Sequence, residues 1–187
     1  MNIYLTGYSG FIGKHISANL AQKYNVIHVN LREVVNKENL FNNLLNGDWI
    51  INCAASLRPK TDNDEYINSE LPVFLMNYIK KKKLNVRLIH LSSINTLKDE
   101  LKDNYTLSKK KAEEKLTENN VTIIRLPLII KHNKDKLIEN YGQVSIFFKY
   151  LKVPILFYPM IFPGNIFTPL DISRLLYFTN EIIEGKK

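Results

Sequence analysis

The sequence predicts an α/β fold built on a doubly wound parallel sheet, and three observations lead there. Short apolar runs alternate with longer amphipathic stretches from Met1 to about Arg125. The apolar runs are nearly continuous, which marks strands covered on both faces. Three of the seven glycines, Gly7, Gly10 and Gly13, crowd into "YLTGYSGFIGKHI", between the first run and the first amphipathic stretch. Right-handed crossovers then wind such a sheet in both directions.

The elements follow in order. "NIYLTG" reads as a buried strand ending in a turn, and "FIGKHISANLAQKY" as a helix with Ile12, Ile16, Leu20 and Ala21 at helical spacing. "NVIHVN" is a second strand, and "ENLFNNLLNG" a second helix closed by Gly47. "DWIINCAA" is a third strand. "NDEYINSELPVFLMNYIKKKK" is a long helix that Pro72 should kink or break. "VRLIHLSS" is a fourth strand, "NYTLSKKKAEEKLTENN" a helix, and "VTIIRLPLII" begins as a fifth strand. From about Lys131 the pattern is less regular. "QVSIFFKYLK" looks helical, "PILFYPMIFPG" is apolar and proline-broken, and "DISRLLYFTNEIIEG" is an amphipathic helix with Asp171 as N-cap. No repeat, low-complexity linker or second-domain boundary interrupts residues 1–187.

Composition narrows the setting. Hydrophobic residues make up 45% and charged residues 24% of 187, which is enough for one domain with a core. No apolar run reaches the roughly 20 residues that span a bilayer, so membrane insertion is not expected. The start carries no basic segment followed by an apolar one, so no secretion signal is read. The single Cys53 cannot form an internal disulfide, and together these features point to the cytoplasm. The net charge is +8, with lysine runs at Ile79–Lys83 and Lys109–Lys111. Lysines are favoured at helix C-termini by the macrodipole. Without aromatic interleaving or a nucleic-acid motif, the runs read as helix ends and not as a nucleic-acid surface.

The glycines have a specific physical use. After a strand and at the start of a helix, one permits a tight turn, one lets a pyrophosphate approach the backbone, and one lets helix and strand pack closely. The spacing is G-x-x-G-x-x-G, and a ligand-free glycine turn is the plain alternative. Downstream, "INCAAS" ends the third strand, "HLSS" the fourth, and "YTLSK" sets Tyr105 and Lys109 four residues apart on one helical face.

Together, in this order, "TGYSGFIG", "INCAAS", "HLSS" and "YTLSK" resemble the extended short-chain dehydrogenase/reductase superfamily of nucleotide-sugar epimerases, dehydratases and reductases, the NAD-dependent epimerase/dehydratase family. "AASLRP" and the interval of only twelve residues from Ser93 to Tyr105 are similar to the bacterial 4-ketoreductases of capsular-polysaccharide synthesis. The resemblance implies a Rossmann-type sheet with a substrate lobe, here shortened to about residues 126–187 of a single domain. It implies a cofactor, NADP or NAD, held by Gly7, Gly10, Phe11, Ile12, Gly13, Asn30, Arg32, Ala54, Ala55, Tyr105 and Lys109. It also implies a catalytic set of Ser93, Tyr105 and Lys109.

In that set, Tyr105 would donate a proton to a carbonyl oxygen while Ser93 steadies the developing charge. A free tyrosine titrates near pKa ~10, and Lys109 is the expected source of the positive charge that favours its phenolate. Ser92 competes with Ser93, and the family motif selects the second serine. At the end of the second strand, neutral Asn30 and the bidentate donor Arg32 favour NADP over NAD, although Glu33 adjoins Arg32 and a surface position near an adenine is the plain alternative. Arg58 and Arg125 are candidates for a substrate diphosphate, and Arg125 could equally pair with a carboxylate. Asp171 fits capping. Cys53 fits inert packing, and the four histidines show no metal-ligand spacing.

The function expected is reduction of a keto group on a nucleotide-activated sugar for surface polysaccharide. An epimerase with tightly bound cofactor is the alternative, and a non-enzymatic nucleotide sensor a third reading. The partner expected is the nucleotide sugar, and the family suggests a homodimer. Two departures stand out: "INTLK" replaces the usual Tyr-Gly after the catalytic serine, and "RLPLII" the usual Asn-Pro after the fifth strand.

Overall fold

The computed structural model describes residues 1–30, 41, 43–130 and 170–186. It divides into two compact units, Met1–Leu126 and Pro127–Lys187. In the first unit the elements are β1 (Asn2–Thr6), α1 (Phe11–Leu20), β2 (Asn25–Val29), β3 (Trp49–Asn52), α2 (Asp62–Lys82), β4 (Arg87–Ser93), α3 (Asn104–Lys115) and β5 (Val121–Leu126). A 3-10 turn, Ile94–Leu97, follows β4. The described part of the second unit holds β6 (Ile129–Ile130), paired in parallel with β7 (Leu170–Asp171), and α4 (Ile172–Ile183).

The five strands of the first unit are all parallel, in the order β2-β1-β3-β4-β5. From β1 the chain steps outward to β2, then crosses back to β3 on the other side. Winding therefore reverses between β1 and β3, and the carboxyl ends of these two strands flank the crevice where such sheets bind ligands. The doubly wound Rossmann-type architecture expected from the sequence is present.

Period-two alternation sorts the core. Tyr4, Ile50 and Leu88 face α2, packing with Leu71, Leu75, Ile79 and Leu116. Ile3, Leu5, Ile51 and Ile89 point to the opposite face and are fully buried. On that side α1 contacts β1 and β2 and buries Ile16 and Leu20, whereas Ala21 lies past the helix end and is exposed.

Several expectations need adjustment. The first helix stops at Leu20 and continues as turns. Pro72 does not break α2, which runs unbroken from a capping box at Thr61 and Asp64 to Lys83, whose φ of 53° ends it in the left-handed region. The strong cap and the buried face that includes Leu71 and Leu75 outweigh the one hydrogen bond that proline forfeits. Among the described residues Asn43–Gly47 there is turn and no helix, with Leu44 N–H donating to Phe41 O; the rest of "ENLFNNLLNG" up to Leu40, with Asn42, lies outside the described residues. The turn is held instead by Asp48, whose carboxylate accepts from the backbone of Asn2 at 2.7 Å and of Leu45 at 3.0 Å. The stretches "QVSIFFKYLK" and "PILFYPMIFPG" also lie outside the described residues. Asp171 caps α4 through Ser173 N–H at 2.8 Å, as expected.

A buried polar row crosses the sheet at its carboxyl edge. Thr6, Asn52 and His90 are register partners on β1, β3 and β4, all fully buried. Asn52 Oδ1 accepts from Thr6 Oγ1 at 2.6 Å and from Ala54 N–H at 3.3 Å, and its Nδ2 donates to His90 Nδ1 at 3.1 Å. One amide thus joins three strands where the crevice opens. Asn52→Leu leaves three buried polar groups without a partner, each costing about 1–3 kcal/mol. Its urea midpoint should fall by the equivalent of about 2 kcal/mol or more.

Candidate active site

The glycine loop joins β1 to α1, and its three glycines do different things. Gly7 has φ +65°, and a Cβ there would lie 2.5 Å from Ala54 N and from Cys53 C. The end of β3 lies directly against the loop, so Gly7 is required by both conformation and space. At Gly13 a Cβ would fall 2.2 Å from Gly7 O, so this glycine lets α1 pack onto the loop. Gly10 differs: a Cβ there would meet only Gly7 O, at an ordinary 3.4 Å. The fold itself does not demand glycine at this position. Gly10 is the N-cap of α1, which has no side-chain cap, whereas Thr61, Asp103 and Asp171 cap α2, α3 and α4. The first N–H groups of α1 are therefore left without a side-chain acceptor, beside a residue that keeps the approach clear. That arrangement fits a pyrophosphate.

The other candidate cofactor residues lie at the same edge of the sheet. Phe11 and Ile12 open α1, with Phe11 against His15. Ala54 and Ala55 follow β3, the first buried and the second exposed, and Asn30 follows β2. Arg32 lies outside the described residues. Tyr8 of the loop stacks on His28 of β2, with ring centres 4.4 Å apart, and Ser17 Oγ lies 2.6 Å from His28 Nε2. This contact ties the loop to β2 and had no clear sequence signal.

Ser93 ends β4, buried, and serves as N-cap of the 3-10 turn by accepting from Asn95 N–H at 3.2 Å. That bond uses an oxygen lone pair and leaves the hydroxyl proton to donate. Its neighbour Ser92 points to the opposite face by strand alternation. Tyr105 lies in the first turn of α3, positioned by Asp103, which accepts from Thr106 N–H at 2.9 Å. Burial, then the charge of Asp103, raises the Tyr105 phenol above its ordinary value. This corrects the expectation that Lys109 pulls the phenol down: the chain alone holds Tyr105 protonated.

Lys109 is 1% exposed, and its ammonium donates to Leu91 O on β4 at 3.0 Å. Burial lowers it to about 8, against the opposing pull of Cys53 and Glu113. Burial also pushes the Cys53 thiol up to about 12, so it is an unreactive neighbour. His90 is held well below its ordinary value by burial and by Lys109, so it is neutral.

The two arginine candidates separate. Arg58 is exposed in the loop after β3. Arg125 on β5 is engaged by a carboxylate, with Nε and Nη2 donating to Glu113 Oε2 at 2.9 and 2.7 Å. The lysine runs are occupied locally. Lys80 to Lys82 form the last turn of α2, Lys80 pairs with Glu118, Lys110 with Asp99, and Lys111 with Glu65 and Glu70. Among the described residues, no group of three or more His, Cys, Asp or Glu is placed to hold a metal ion, and no helix is long and apolar enough to cross a membrane.

Two outcomes follow. Gly13→Ala should lose stability by about 2 kcal/mol or more while Gly10→Ala unfolds within about 1 kcal/mol of the parent, both read by urea denaturation. An unfolded lysine stays protonated to pH ~10.4, whereas the buried Lys109 loses its proton near 8. Between these values the unfolded state binds more protons, so stability rises with pH across that window. Lys109→Met should remove that part of the rise, seen as a flatter plot of urea midpoint against pH.

The profile of the NAD dependent epimerase/dehydratase family matches residues 3–120. Over 117 residues the chain is 31% identical to the UDP-2-acetamido-2,6-beta-L-arabino-hexul-4-ose reductase of Pseudomonas aeruginosa, a match covering 62% of this chain and 31% of that protein. The fold is similar to the dTDP-4-dehydrorhamnose reductase of Yersinia enterocolitica, with TM-score 0.70 and 19% identity over 100% of this chain and 71% of that one. It is also similar to the Pseudomonas aeruginosa protein RMD in complex with NADPH, with TM-score 0.64 and 18% identity over 98% and 72%. The family profile spans more than half of the chain, from the strand before the glycine loop through α3, and so covers every element that carries Ser93, Tyr105 and Lys109: the chain belongs to the NAD dependent epimerase/dehydratase family.

Proposed function

We propose that this chain reduces a keto group on a nucleotide-activated sugar, of the 4-keto-6-deoxyhexose type, with NADP as cofactor, in surface-polysaccharide synthesis. The observation that carries the reading is the placement of a protonated, half-buried Tyr105 and an enclosed Lys109 on one face of α3, beside the strand end that carries Ser93. A bound nicotinamide would supply hydride to the carbonyl carbon. The chain supplies the rest: Tyr105 gives its proton to the carbonyl oxygen, and Ser93 donates a hydrogen bond to that oxygen as charge develops. The tyrosine then regains its proton from solvent. The Lys109 ammonium offsets the phenolate left in between.

Support for a sugar nucleotide comes from the names of the relatives, which include reductases of UDP- and dTDP-linked sugars. Support for NADP comes from Asn30, which places a neutral side chain after β2 where a carboxylate would favour the ribose hydroxyl of NAD. Gly10, which the fold does not itself require, supports the pyrophosphate seat. In this reading residues 126–187 select the sugar.

The test is incubation of the purified chain with NADPH and either dTDP-4-dehydrorhamnose or the UDP-linked 4-keto sugar, following loss of the reduced cofactor. Consumption is expected. Isomerisation of the sugar without consumption would assign an epimerase instead. Tyr105→Phe should lower kcat about 10²–10⁴-fold. The rate should fall above pH about 8 as Lys109 loses its proton.

A further inference from the structure

The motif that carries Tyr105 and Lys109 continues to Glu113, four residues further along the same stripe of α3. Its side chain is only 9% exposed. A carboxylate so enclosed needs partners, and it has them on two other elements. Oε2 accepts both Nε and Nη2 of Arg125, on β5. Oε1 accepts from Thr96 Oγ1 at 3.0 Å, in the 3-10 turn after β4. The Thr96 hydroxyl also lies 2.8 Å from Ser93 O, so one proton is shared between the carboxylate and the backbone of Ser93. Arg125 in turn is the register partner of Ser92, one residue from Ser93.

We propose that Glu113 is a positioning residue for the reacting set: by gripping Arg125 of β5 and Thr96 of the turn after Ser93, it fixes α3 against the end of β4. This rests on the reading of Ser93, Tyr105 and Lys109 as the reacting groups. The geometry explains why the position needs a carboxylate. One carboxylate oxygen takes both Arg125 donors and the other takes the Thr96 proton, whereas an amide loses the charge that strengthens the Arg125 pair and can no longer accept from Thr96 while holding Arg125. Tyr105 and Lys109 reach their places only if α3 keeps its register on β4, and small misplacements of reacting groups are costly in rate. The same carboxylate supports the Lys109 ammonium electrostatically, alongside Cys53, and the other titratable neighbour, His90 on β4, is neutral. It also gives Arg125 a role other than holding a substrate diphosphate.

The test uses Glu113→Gln and Thr96→Val in the full chain, with three readouts. The first is Lys109 titration, followed by NMR of side-chain-labelled lysine and assigned with Lys109→Met. The second is amide hydrogen exchange at Ile94–Leu97. The third is kinetics with NADPH and dTDP-4-dehydrorhamnose. Glu113→Gln should shift the Lys109 titration to lower pH, speed exchange in the turn, and lower kcat about tenfold with KM for NADPH unchanged within twofold. Thr96→Val should speed exchange and lower kcat less, with Lys109 titrating as in the parent. Parental titration and exchange in Glu113→Gln would overturn the proposal. If Glu113→Gln does not fold, parental exchange in Thr96→Val does so. The first two readouts need no turnover. Failure of the underlying reading shows separately, as full activity in Tyr105→Phe.

Discussion

The structure depends on one close backbone approach. The turn after β1 lies against the end of β3 so tightly that no side chain fits between Gly7 and Cys53–Ala54. The contact lies where the winding of the sheet reverses, so it defines the floor of the crevice. Everything nearby is arranged around it. Gly13 brings α1 down onto the same turn. Asn52 ties the residue before Gly7 to the residue that Gly7 touches, through Thr6 and Ala54. A single buried amide thus holds in place the two strand ends that a dinucleotide would straddle.

The proposed reacting set is built on the next strand by a different device. There the constraint is electrostatic enclosure. Lys109 lies inside the protein with its ammonium on the backbone carbonyl of Leu91, and burial brings its proton affinity into a functional range. Tyr105 moves the other way and stays protonated. A lysine able to respond to charge beside a phenol that keeps its proton suits proton donation to a carbonyl oxygen. Asp103 serves the phenol, because it starts α3 two residues before Tyr105, caps it through Thr106 and adds its charge to the burial that keeps Tyr105 protonated.

Much of the fold was legible in the chain because parallel strands buried on both faces leave a continuous apolar signature. The strands are found where those runs lie: β1 and β3 end one residue before Gly7 and Cys53, and β4 ends at Ser93. Local propensity misled in two places. Pro72 promised a break, but the capping box and the apolar face of α2 hold the helix across it. The leucines and asparagines before Gly47 suggested helix, but Asp48 captures Leu45 N–H and makes a turn. The Thr61–Asp64 box is local but says nothing of the buried face that carries α2 across Pro72, and Asp48 also reaches Asn2 at the far end of β1.

Residue types and their spacing alone determined the glycine turn, the strand–helix alternation and the Tyr105–Lys109 stripe. These are local: each depends on φ limits, side-chain period or helical pitch within a dozen residues. Only the tertiary structure decided that Gly10, unlike Gly7 and Gly13, is not required by packing. It alone decided that Tyr105 is raised and Lys109 lowered, and that Arg125 is engaged by Glu113. Those outcomes depend on which distant groups share a dry space, and solvation and charge pairing are properties of that space rather than of sequence distance.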